Sequence, residues 1–346
     1  MWRASQFASL LETTGATWRW DHSFEEDPLE MIHDMVVRSL PYMKHIKSLK
    51  ILVDQSQEVN RKSTCDLFVV LAQMKCQLQA LRVVCITPFF YSGLDILQSI
   101  RKFCQQMSMG TLQVIDLKQM PFALDNVMVG LIAVSSPDLR TFLINNHAMG
   151  FIMVRPETIV DILGICPNLS TLGVTYMSLS VTVFKAMLDP KRPPFKYLDI
   201  YCSSILPHIP NEVWPAMLQR NPCFRVGLEF ATEVHPTRLA LILNPFIPMA
   251  ALRFNGFSCL VDHLTLAAQH YSQTLEVLEL STAASSNLDA VLIELAKRCA
   301  NLREVHCNCP VSLEVKKTFL SHCPKLRKYT LLTAGPFFNT FPTVYL

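Results

Sequence analysis

The residues with the greatest capacity for chemistry lie close together near the carboxy terminus: Cys299, His306, Cys307, Cys309, His322 and Cys323. Thiolate and imidazole are the ligands zinc prefers, so such a run invites a metal-site reading. Spacing argues against it. Structural zinc sites usually enclose about two to four residues between paired cysteines, whereas Cys307 and Cys309 enclose a single residue. Cys307 also falls on an inward strand position and Cys323 on a helix-to-strand corner, so both have packing roles, and no metal is expected. A nucleophile would need a base and an orienting third group, and no spacing among the histidines and serines ties such a set together. With only 10 glycines, the chain has neither G-x-G-x-x-G nor G-x-x-x-x-G-K-S/T to cradle phosphate, and H-E-x-x-H is missing. No catalytic residue and no cofactor is assigned.

The cysteines make better sense as parts of a repeat. Cys166, Cys299 and Cys323 each stand three residues before a leucine: Leu169, Leu302 and Leu326. That leucine opens the frame apolar-x-x-apolar-x-apolar, the strand signature of leucine-rich repeats. Clear copies begin at Leu78, Leu112, Leu139, Leu169, Phe195, Met249, Leu275, Leu302 and Leu326. Weaker ones begin at Ile46 and around Phe224–Phe230, where Gly227 takes an expected apolar place. The total is about eleven units, and the last ones recur every 26 residues or so, inside the roughly 20–29 of this class. Between anchors the apolar period lengthens toward 3.6, as at Leu288, Val291, Leu292, Leu295 and Ala296, so a helix follows each strand. Proline closes several helices, at Ser136-Pro137, Cys166-Pro167, Asn221-Pro222 and Cys323-Pro324.

The expected fold is therefore an α/β leucine-rich-repeat solenoid, a horseshoe with parallel strands on the concave face and helices on the convex face. It spans 25–332, between a leading segment, 1–24, and an aromatic tail or cap, 333–346. No unit buries its apolar face alone, so stacking supplies the stability.

Composition agrees. Apolar residues make up 50% of the 346 and charged residues 17%, ample for a continuous core. A net charge of +3 is far below the basic excess that phosphate-backbone binding needs, so nucleic acid is not an expected partner. The most apolar stretch, Leu239–Leu252, is broken by Asn244, Pro245 and Pro248, so no membrane span is expected. Twelve cysteines without an export signal read as reduced thiols of a cytoplasmic or nuclear protein.

Side chains alternate along a strand, so the residues between anchors line the concave wall. In the second half these are Thr171, Thr175, Tyr197, Asp199, Tyr201, Arg253, Asn255, Glu279, Glu304, His306, Asn308, Lys328 and Thr330. Tyrosine and arginine are frequent interface anchors, which makes this wall the candidate grip for a partner protein. The tail residues Phe337, Phe338 and Phe341 are too apolar for water and either close the last repeat or contribute to the partner pocket.

Several motifs resemble one family. They are Asn211-Glu212-Val213-Trp214, Ala250-Ala251-Leu252-Arg253, Ala268-Gln269-His270-Tyr271-x-x-Thr274-Leu275, Arg298-Cys299-Ala300-x-Leu302-Arg303-Glu304-Val305-His306-Cys307-x-Cys309 and His322-Cys323-Pro324-x-Leu326-Arg327. Through them the chain resembles the F-box and leucine-rich-repeat proteins, substrate receptors of ubiquitin ligases. The resemblance implies a non-catalytic receptor whose repeats hold a substrate protein while an amino-terminal F-box docks on a Skp-type adaptor and cullin. Residues 1–24 carry no Leu-Pro-x-Glu opening; only Ala16-Thr17-Trp18 resembles the closing segment of the box. Adaptor and cullin are thus expected partners only of a complete box, and a box-less scaffold or competitor is the alternative.

Overall fold

In the computed structural model the described residues are 16–19, 46–73, 77–86, 93–106, 111–120, 124–146, 154–203, 208–232, 234–256, 260–333 and 344–345. The chain divides into two compact units, Met1–Val174 with Lys185–Pro193, and Thr175–Phe184 with Pro194–Leu346.

The first unit alternates strand and helix: β1 (Ala16–Arg19), β2 (Ser48–Val53), α1 (Glu58–Gln73), β3 (Ala80–Cys85), α2 (Leu94–Gln106), β4 (Val114–Gln119), α3 (Asn126–Ser135), β5 (Thr141–Leu143), α4 (Pro156–Ile165) and β6 (Thr171–Thr175). Each strand pairs in parallel with the next. Leu49, Leu81, Ile115, Phe142 and Leu172 stand in register and are all buried. The anchors of successive repeats therefore form one column of packed side chains, each worth roughly 1.5–3 kcal/mol on burial.

The helix α5 (Val181–Met187) carries residues of both units. The second unit continues with β7 (Tyr197–Cys202), α6 (Val213–Arg220), β8 (Arg225–Phe230), α7 (Pro236–Leu239), β9 (Met249–Phe254), α8 (Val261–His270), β10 (Val277–Leu280), α9 (Ser286–Arg298), β11 (Glu304–Val311), α10 (Leu313–His322), β12 (Lys328–Thr333) and β13 (Val344–Tyr345). Strands β7 to β12 are parallel in sequence order, and β13 pairs antiparallel with β12. The column here is Ile200, Leu228, Leu252, Leu278, Val305 and Tyr329. Tyr329 alone of these is half-buried, with Lys316 Nζ 5.8 Å from its ring centroid.

Strands β2 to β12 match the expected repeats, with one correction. In β8 every residue from Val226 to Phe230 is buried, the apolar anchors are Val226, Leu228 and Phe230, and Gly227 alternates with them on the face of the Tyr197 and Asp199 side chains. Gly227 is not an anchor.

The Cys-x-x-Leu corners have a common geometry. The corner residue caps the helix, as Cys299 N donates to Leu295 O at 2.8 Å, and the anchor three residues on donates back, Leu302 N to Cys299 O at 3.2 Å. The thiol then reaches the preceding repeat: Cys323 Sγ donates to Ala296 O and Cys299 O at 3.5 and 3.6 Å, and Cys166 Sγ to Ala133 O and Ser136 O at 3.7 and 3.6 Å. Asn221 fills the same corner with an amide, its Nδ2 donating to Met217 O at 3.0 Å and its Oδ1 accepting from Phe195 N at 2.8 Å. Carbonyls left over at a helix end are thereby satisfied inside the core. Arg192, from a loop, does this for α4, donating to the carbonyls of Leu163, Cys166 and Leu169.

No helix among the described residues is long and apolar enough to cross a membrane.

Candidate functional site

On β7 to β12 the outward side chains fall into rows set by the register. One row runs Asp199, Gly227, Ala251, Val277, Glu304 and Lys328; the next runs Tyr201, Glu229, Arg253, Glu279, His306 and Thr330. The first row has small residues in its middle, and the second has its charges there, at Glu229, Arg253 and Glu279.

Arg253 links the two rows. Its Nε donates to Glu279 Oε1 on β10 at 3.0 Å, and its Nη1 lies 3.5 Å from Asp199 Oδ1 on β7, two strands away. The guanidinium crosses β8 over Gly227, which offers no side chain to obstruct it. A Cβ there would stand 2.6 Å from Asp199 Oδ1 and would collide with the Tyr197 hydroxyl. Glycine is thus required by the close approach of neighbouring side chains, not by backbone conformation.

Burial opposes the Arg253 charge, but the carboxylates of Asp199 and Glu279 outweigh it and hold the guanidinium above its ordinary range. Burial, with help from Asp199, likewise lifts the Tyr197 hydroxyl well above the usual phenol value, against the opposing pull of Arg253. Tyr197 therefore stays protonated and able to donate. Asp199 and Glu229 are each only 5% exposed, and Glu229 Oε1 accepts from Asn255 Nδ2 at 2.9 Å.

Farther along, Lys328 Nζ pairs with Glu304 Oε1 at 2.9 Å, His306 Nδ1 meets Thr330 Oγ1 at 3.0 Å, and Asn308 Nδ2 donates to Ser281 Oγ at 3.0 Å. The Glu304–Lys328 pair is half-exposed and contributes about 0–1 kcal/mol. Tyr201 is half-buried beside Glu229 in register.

The structure thus brings Tyr197, Asp199, Arg253 and Glu279 together, pairs Asn255 with Glu229, pairs Glu304 with Lys328 and, separately, His306 with Thr330. The sequence reading missed Gly227 and Glu229, because the β8 repeat is a residue short of the frame. The alternation Val226, Leu228, Phe230 was the available signal. Phe337, Phe338 and Phe341 lie outside the described residues.

The cysteine and histidine run divides between faces. His306 points outward, whereas Cys307 and Cys309 lie in the core with sulfurs 3.3 Å apart. Burial pushes the Cys307 and Cys299 thiols up to about 12 and Cys323 up to about 11. The thiolates that metals and electrophiles require are disfavoured there. Among the described residues no three His, Cys, Asp or Glu side chains are grouped to hold a metal ion.

Parallel strands in sequence order, stacked apolar anchors and a helix between successive strands define a leucine-rich-repeat protein. No protein-family model matches the chain. It is similar to F-box/LRR-repeat protein 8 of Homo sapiens, 38% identical over 308 residues that cover 86% of this chain and 81% of that protein. The proteins of the same name from Bos taurus and Mus musculus are 35% and 34% identical over 301 residues, covering 84% of this chain and 80% of each. The chain belongs to the F-box/LRR-repeat family. Among solved structures it is similar to the yeast Rad7 and Elc1 complex at 13% identity and a TM-score of 0.39, over 84% of this chain and 72% of that one.

Proposed function

We propose that this protein is the substrate-recognition subunit of a Skp–cullin–F-box ubiquitin ligase, acting without catalysis of its own in the cytoplasm or nucleus. Membership of the F-box/LRR-repeat family supports the ligase role. The observation that carries the substrate-holding role is the Asp199–Arg253–Glu279 bridge over Gly227, buried at Asp199 and half-exposed at Glu279. It holds a rotamer-rich arginine in place before any partner arrives, which lowers the ordering cost of binding.

The test is affinity purification of the full chain from cells, beside an Arg253→Glu, Glu304→Arg variant. Recovery of a Skp-type adaptor and cullin with both proteins, together with loss of ubiquitinated clients from the variant alone, is the expected result. Failure to recover the adaptor with either protein overturns the ligase role. An unchanged client set in the variant overturns the role of the wall.

A further inference from the structure

The outer surface of α3 is unlike that of the other described helices. Its sequence, Asn126-Val-Met-Val-Gly-Leu-Ile-Ala-Val-Ser135, carries no charge. Met128, Val129, Ile132 and Ala133 face the core, while Val127 and Val134 are 61% and 50% exposed and Leu131 is half-buried. A helix that is apolar all round is normally covered on every side. Gly130 sits in the middle of this outer face, and a Cβ added there would meet nothing within 4 Å. No described residue makes use of the missing side chain.

The neighbouring helices supply a charged frame. Arg61 on α1 holds Asp95 of α2 at 3.1 Å, which turns Asp95 toward α1. Leu94 and Arg101, about two turns apart and rotated away from Asp95, then lie on the flank of α2 nearer α3. On the other side Asn126 Oδ1 accepts from Thr158 Oγ1 of α4 at 2.8 Å. Asp161 and Ile165, one and two turns beyond Thr158, share that flank of α4. Leu94 and Ile165 are 51% and 37% exposed, and Arg101 and Asp161 are exposed as well. The result is an apolar strip along α3, with a notch at Gly130, a cation on one side and an acid on the other.

We infer that this face docks an amphipathic helix of a partner protein, one that presents large apolar side chains at i, i+4 and i+7, acidic residues along one flank and basic residues along the other. The notch admits a ridge side chain of the incoming helix. Arg101 and Asp161 pair with its flanks, which sets orientation and specificity more than raw affinity. This surface is independent of the client-holding wall on β7 to β12.

The test measures binding of three synthetic helical peptides with the same apolar ridge to the full chain by fluorescence anisotropy. One peptide has an acidic and a basic flank, one has two acidic flanks and one has two basic flanks. The mixed peptide should bind best, by about threefold or more over either control, as rim charges allow. Val127→Asp with Val134→Asp should weaken it by about tenfold or more, since these two exposed side chains flank the Gly130 notch on either side. Arg101→Glu should move the preference to the doubly basic peptide, and it leaves the apolar strip intact. Equal binding of all three peptides, or full binding by the valine variant, overturns the inference. So does a concentration-dependent dimer of the wild-type chain that the valine variant abolishes, because a second copy would then be the occupant.

Discussion

Gly227 and Gly130 give opposite predictions from the same residue type. At Gly227 an added methyl group displaces Asp199 and Tyr197 and breaks the bridge to Arg253. Gly227→Ala is expected to destabilise the chain by about 1–3 kcal/mol, the range for overpacking. At Gly130 the methyl group meets open space in a helix interior, so Gly130→Ala should stabilise by about 0.4–1 kcal/mol. Urea unfolding of the two variants beside the wild type reads both signs. The contrast between inward and outward positions is equally sharp one strand further on. Leu278→Ala empties a fully buried anchor and should cost about 2–5 kcal/mol. Glu279→Ala removes a half-exposed carboxylate while Asp199 remains beside Arg253, and should cost about 1 kcal/mol or less. Equal losses at 278 and 279 would contradict the register described for β10.

For the elements, the corners between helix and strand govern how one repeat engages the next. Burial raises the thiols of Cys166, Cys299 and Cys323 from an ordinary 9.0 to about 11, 12 and 11. Above pH 9 the unfolded chain loses these protons while the folded chain retains them, so stability falls as pH rises. The contribution is complete below about pH 9 and lost by about pH 11–12. Melting temperatures measured from pH 7.5 to 11 should therefore drop on the alkaline side, and a variant with alanine at all three corners should show a shallower slope. These corners were legible in the sequence because Cys-x-x-Leu recurs and each leucine opens a strand. Arg192 was not legible as a corner substitute, because it lies in a loop and meets residues more than twenty positions earlier only after folding. The Asp199–Arg253 bridge was hidden for the same reason. Both residues were placed on the wall from alternation alone, but their pairing needs the register of three strands and a glycine that the frame had assigned inward. The exposed strip on α3 escaped notice because apolar content reads as core unless the faces of a helix are told apart.

At the scale of the whole chain, a stack of repeats confines each core contact to neighbouring strands and helices, so stability should be distributed along it rather than shared equally. Within the second unit, Leu278 stands between Leu252 on β9 and Val305 on β11. In Leu278→Ala, amide hydrogen exchange should accelerate most in β10, next in β9 and β11, less in β8 and β12, and least in β7. A uniform acceleration from β7 to β12 would instead mean that the unit opens as a single block, and the cost of losing one anchor would then be spread over every repeat. The graded outcome has a functional consequence. Asp199 is anchored on β7, and its partner Arg253 is on β9, next to the damaged strand. Client capture should therefore weaken in Leu278→Ala at temperatures well below global melting, as β9 loosens and the bridge over Gly227 opens first.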